Sequence, residues 1–143
     1  MEKIVSLIML YSSIYNVDPK LAVSIAHVES SFNQTAIGTS GEIGIFQLHP
    51  RYFSYQDSLT IEENIKNGIK HLSFSKKYCR HKYGIEWVIC YNRGVAKGSM
   101  AKMPSKDEYV NKVKTFYYSN ATNLLNQYGR RNTNSSSVAR YWH

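Results

Sequence analysis

The chain has ten acidic residues among 143, only two cysteines and three prolines, and no long apolar run. Each shortage removes a class of protein. Cys79 and Cys90 are too few for a disulfide framework and lack the second pair a zinc site needs, so they read as buried packing residues, with a single bridge as the alternative. With no stretch of about 20 apolar residues, no segment is expected to span a membrane. No repeat or sustained heptad appears, which argues against solenoids and coiled coils. The few acids stand against eighteen Lys and Arg, leaving a formal charge of +8. Such an excess attracts polyanions, whether nucleic acid, acidic wall polymer or anionic lipid, or simply solvates one face. No recognised nucleic-acid-binding module accompanies it, so no nucleic-acid partner is expected.

What is present is a globular composition, 43% apolar and 13% aromatic, with twelve tyrosines. A chain of this size suits one domain, burying roughly two-thirds of its unfolded surface. Ile4 to Leu10 could pass for the apolar centre of a signal peptide. Glu2 spoils its basic leader, however, and no small-x-small site follows. Ile4, Leu7, Ile8, Tyr11, Ile14 and Tyr15 instead recur at helical spacing, which predicts a structural first helix. Delivery outside the cytoplasm would then depend on something other than a standard signal.

Asp18-Pro19 has the form of a helix start, with the aspartate as cap. The second helix is predicted to run to about Phe32. Residues 33–58 hold three of the eight glycines and read as an irregular loop, with or without a short hairpin. Thr60-Ile61-Glu62-Glu63 is a capping box opening a third helix. Ile85 to Asn92 reads as a short buried helix stopped by Gly94, and Gly94 to Pro104 as a polar connection. Ser105-Lys106-Asp107-Glu108 reads as a second box before a long helix with Tyr109 to Tyr128 on its inner face and Gly129 beyond its end. The expected division is a mainly α catalytic domain over 1–129 and a polar tail over 130–143, whose Asn- and Ser-rich composition favours disorder.

Glu29 closes the apolar run Leu21 to Val28, at the edge of the buried stripe. A carboxylate is unfavourable at a helix C-terminus, which favours a special role over a surface one. Facing it in sequence is Gly44-Ile45-Phe46-Gln47, a glycine-marked turn with an amide and no second acid. This is the pattern of a single-residue general acid/base.

Glu29-Ser30-Ser31-Phe32-Asn33, Gly44 to Pro50, Asn64 to Leu72, Tyr91-Asn92-Arg93-Gly94, and Tyr109-Val110 with Val113 to Tyr117 resemble, in order and spacing, the motifs of the soluble lytic transglycosylase domain. The resemblance covers about Val5 to Tyr118. It implies a compact lysozyme-like helical fold, without cofactor or metal, that cleaves the bond from N-acetylmuramic acid to N-acetylglucosamine in peptidoglycan glycan strands. The muramic acid's own 6-hydroxyl attacks, leaving 1,6-anhydro ends. Glu29 would be the acid and then the base, with its pKa raised by burial as in the worked case of lysozyme's acid. Substrate-binding positions implied are Gly44, Phe46, Gln47, Tyr91, Asn92, Tyr109 and Tyr117, with either of the last two tyrosines able to orient Glu29. Without the motifs, Tyr91, Tyr109 and Tyr117 read equally well as packing residues, and Asn64 and Gly68 read as helix packing.

Four departures stand out: Gly38 where relatives often carry Ser, His49 for Met, Cys90 for Ala, and Arg93 for a small residue. The nearest competing reading is a goose-type hydrolase. Its expected acids would fall near Gly38 and His49, so Glu42 is the remaining loop carboxylate, and an inverting hydrolase needs carboxyls about 6.5–9.5 Å apart. The other competitor is a virion or secretion-machine component with little turnover. The expected setting is the periplasm or cell wall, with a phage or secretion machine carrying the domain there.

Overall fold

The computed structural model describes residues 1–129. Among them the chain forms eight α-helices and no strand. These are α1 (Glu2–Ile14), α2 (Pro19–Ser30), α3 (Tyr55–Leu59), α4 (Ile61–Tyr78), α5 (Val88–Arg93), α6 (Val95–Met100), α7 (Glu108–Ser119) and α8 (Ala121–Gly129), with a 3-10 turn at Pro104–Lys106. The mainly α, lysozyme-like architecture is as expected. The polar tail read over 130–143 lies outside the described residues.

Side-chain caps set the helix starts. Asp18 accepts from the Lys20 N–H at 2.9 Å ahead of Pro19, and Thr60 accepts from the Glu63 N–H at 3.1 Å. The second predicted box is displaced. Ser105 lies in the 3-10 turn, and Asp107 caps α7 by accepting from the Val110 N–H at 3.0 Å. The long final helix is broken at Asn120 into α7 and α8, and the connection after Gly94 contains α6.

Six consecutive residues of α2, Leu21 to Ala26, are buried, so this helix runs through the centre of the molecule. Val5 and Ile8 of α1, Ile65, Ile69 and Leu72 of α4, Val88 to Tyr91 of α5, Val110 and Val113 of α7 and Leu125 of α8 complete the core. α2 stops at Ser30, short of Phe32, because Ser31 and Phe32 take φ of +52° and +63°. Non-glycine residues rarely hold this left-handed region, and here they turn the chain sharply beside Glu29.

The loop after α2 carries two isolated bridges, Ile37 with Ile43 and Ile43 with Leu48, rather than a full hairpin. Cys79 and Cys90 form a disulfide between the end of α4 and α5. The packing reading of these cysteines is thereby corrected: both are buried, and their sulfurs are bonded. No helix among the described residues is long and apolar enough to cross a membrane.

Candidate active site

The loop from Asn33 to Leu48 holds its shape through side chains that satisfy its backbone. Asn64, wholly buried on α4, accepts from the Phe46 N–H at 2.8 Å and donates to the carbonyls of Ile43 and Ser58. Gln34 donates to the Ser58 and Leu59 carbonyls, and Ser30 donates to the Ile45 carbonyl at 2.7 Å. Unpaired buried backbone groups are costly, and these three residues remove that cost where no regular structure can.

Gly44 has φ +80°, and a Cβ there would stand 2.3 Å from Asn64 Nδ2 and 2.6 Å from Gln34 Oε1. Its role is to admit these amides; it does not line the cavity. Phe46 is likewise fully buried, with its ring on Gly68 and its carbonyl accepting from the Tyr91 hydroxyl at 2.7 Å. Gly68 therefore serves packing, as read from the sequence, whereas Asn64, read the same way, serves the loop through its hydrogen bonds.

A cavity of about 600 Å³ opens beside this loop, lined in part by Glu29, Glu42, Gln47, Tyr91, Asn92 and Arg93. Gln47 holds φ +50° and spends its amide hydrogens on the carbonyls of Ala36 and Gly44. Tyr91 also lines the cavity, and its hydroxyl braces the loop through the Phe46 carbonyl. Asn92 is exposed at the rim.

Glu29 sits at the last turn of α2, where Oε2 accepts from the Tyr109 hydroxyl at 2.8 Å. Burial pushes its pKa from 4.5 up to about 7, the Tyr109 bond opposes the rise, and the charge of Glu42 adds to it. Near neutral pH such a group is partly protonated and can donate. Burial raises Tyr91 and Tyr109 well above the usual tyrosine range, with the charge of Glu29 as the next cause, so both keep their protons.

The structure does not bring Tyr117 to this cavity. Its hydroxyl donates to Asp18 Oδ2 at 2.5 Å, and its ring lies under Lys20 Nζ at 4.3 Å. Tyr109 and Tyr117 share a face of α7 but lie two turns apart, about 12 Å, so only one can reach Glu29. Arg93, which stands where relatives carry a small residue, is held at 2.5 Å by Asp107, which also caps α7. The sequence reading missed the loop-supporting roles of Ser30 and Gln34 and the double role of Asp107. The available signal was their hydrogen-bonding capacity beside a turn, which does not reveal the partner.

A shielded glutamate, bonded by a tyrosine hydroxyl, thus faces a cleft in a mainly helical domain. Residues 6–113 match the family model described as the Transglycosylase SLT domain. The chain belongs to this family, whose members are lytic transglycosylases of the peptidoglycan cell wall.

Proposed function

We propose that the protein cleaves the bond from N-acetylmuramic acid to N-acetylglucosamine with Glu29 as its single acid and base, leaving 1,6-anhydro ends. The carrying observation is Glu29 itself, shielded, raised to about 7 and oriented by Tyr109 beside an open cavity. Glu29 protonates the leaving oxygen. The resulting carboxylate then takes the proton of the sugar's 6-hydroxyl as that oxygen closes on the anomeric carbon. Gln47, Asn92 and Tyr91 form the cavity wall against which the sugar sits, while Gly44 and Phe46 act behind it by fixing the loop.

The catalytic unit we propose is 1–129. Its setting is local opening of the wall for a phage or secretion machine. The charge of +8 suits an anionic wall, and the Cys79–Cys90 disulfide suits an oxidising compartment. Digestion of purified peptidoglycan by the wild type and by Glu29→Gln, with the fragments weighed, tests the chemistry. Fragments lacking one water from the wild type and none from the variant are expected. Cleavage that survives Glu29→Gln would rule out the assignment.

A further inference from the structure

Glu42 is the second carboxylate of the cavity. It stands two residues before Gly44 and lines the same space as Glu29. The Ser40 N–H donates to its Oε1 at 2.7 Å and fixes its direction. A Cβ built on Gly38 would come within 2.8 Å of that oxygen and 2.7 Å of Gln47 Oε1. The missing side chain at position 38 is what lets this carboxylate and the Gln47 amide share one wall.

Glu29 and Glu42 interact electrostatically, yet no hydrogen bond joins them among the described residues. Each oxygen that is bonded has a different donor, Tyr109 for Glu29 and Ser40 for Glu42. Both carboxylates line one cavity, and each is held by its own donor rather than by the other. A second carboxylate in the cleft is the group by which glycoside-cleaving sites activate water.

Resting on the proposed transglycosylase reaction, we propose that Glu42 is a general base for water, giving this cleft a hydrolytic branch beside the anhydro-forming one. In that branch Glu42 takes a proton from a water, and the water oxygen bonds to the anomeric carbon of the muramic acid. The glycosidic C–O bond breaks, its electron pair goes to the leaving oxygen, and Glu29 delivers its proton there. The new end carries a hydroxyl and one water more than the anhydro end. Both branches use the same acid and differ only in the attacking hydroxyl, the sugar's own or that of water. Glu42 afterwards returns its proton to solvent, and Glu29 takes one up.

The test is digestion of purified peptidoglycan by the full chain, Glu42→Gln, Glu42→Asp and Gly38→Ser, with hydrated and anhydro ends quantified by mass. The wild type is expected to release both. Glu42→Gln should lower the ratio of hydrated to anhydro ends on the order of 100-fold, a typical general-base contribution. Glu42→Asp should retain more of that ratio than Glu42→Gln. Gly38→Ser, whose added Cβ displaces the carboxylate, should shift it in the same direction as Glu42→Gln and provides the reading if that variant does not fold. The ratio is internal to each digest, so partial misfolding does not mimic the effect. Anhydro ends alone from the wild type, or a ratio untouched by these substitutions, overturns the inference and leaves the transglycosylase reaction standing. Ends of neither kind from the wild type overturn the transglycosylase reaction itself.

Discussion

The Tyr109 hydroxyl donates to Glu29 Oε2 at 2.8 Å, joining the first turn of α7 to the last turn of α2 across 80 positions of sequence. At the opposite ends of the same helices, Tyr117 donates to Asp18. The two helices therefore run antiparallel with a hydroxyl–carboxylate clamp at each end. One clamp holds the candidate acid and the other holds a helix cap.

Replacing Glu29 by Gln should lower cleavage by about 100- to 10,000-fold, the usual contribution of a positioned acid. The same change should stabilise the fold at neutral pH. The folded pKa of about 7 lies above the ordinary 4.5, so the unfolded chain gives up this proton first, and folded stability is lost as pH rises between those values. Gln removes the effect. Denaturant titrations should show the variant more stable by on the order of 1–3 kcal/mol at pH 7.5 and level with wild type near pH 4. An equal gap at both pH values would contradict the burial of Glu29.

Activity should decline as pH rises through about 7, since the donor form of Glu29 is lost there. Tyr109→Phe removes the one hydrogen bond that lowers this pKa and leaves burial and Glu42 unopposed. Its alkaline limb should therefore move upward, while kcat falls roughly 10-fold from lost orientation. The pH profile of kcat/KM measures this, and a downward move would refute the role given to Tyr109.

Gly44→Ala meets both a φ of +80° and the Asn64 amide 2.3 Å away, so it should cost about 2 kcal/mol or more. Asn64→Leu strips the partner from the Phe46 N–H and removes one of two donors from each of the Ile43 and Ser58 carbonyls. A loss of about 3 kcal/mol is expected by denaturant unfolding. Near-wild-type stability in both variants would show that the loop does not depend on this amide.

Reducing the Cys79–Cys90 bond should destabilise the domain by about 3 kcal/mol, given a sequence separation of 11. The bond lies one residue before Tyr91, whose hydroxyl braces Phe46. Thermal melts with and without dithiothreitol, beside the Cys79→Ser, Cys90→Ser double variant, test the assignment. Identical melting temperatures would count against it.

Local chemistry made several features readable in advance. Asp18 and Thr60 cap helices because their side chains answer backbone N–H groups only two or three residues away. The end of α2 was less legible, because an unusual positive φ at Ser31 and Phe32 has no glycine to announce it. Asn120 breaks the last helical stretch although the apolar spacing continues through it, since α8 packs against α1 and α2 as well as α7. The Gly44 signature was visible but its purpose was not. The groups that come close are Asn64 and Gln34, whose approach depends on how α4 docks.

The sequence by itself determined the helical class, the family, the position of Glu29 at the end of a buried helix and the glycine-marked turn opposite it, because periodicity, capping and motif order are local properties. Tertiary structure alone decided which tyrosine orients Glu29, that Tyr117 serves Asp18 instead, that the two cysteines bond, and that Glu42 shares the cavity. Those outcomes depend on how helices cross and where loops close. Such distances are set by packing of the whole core, and no short stretch of sequence encodes them.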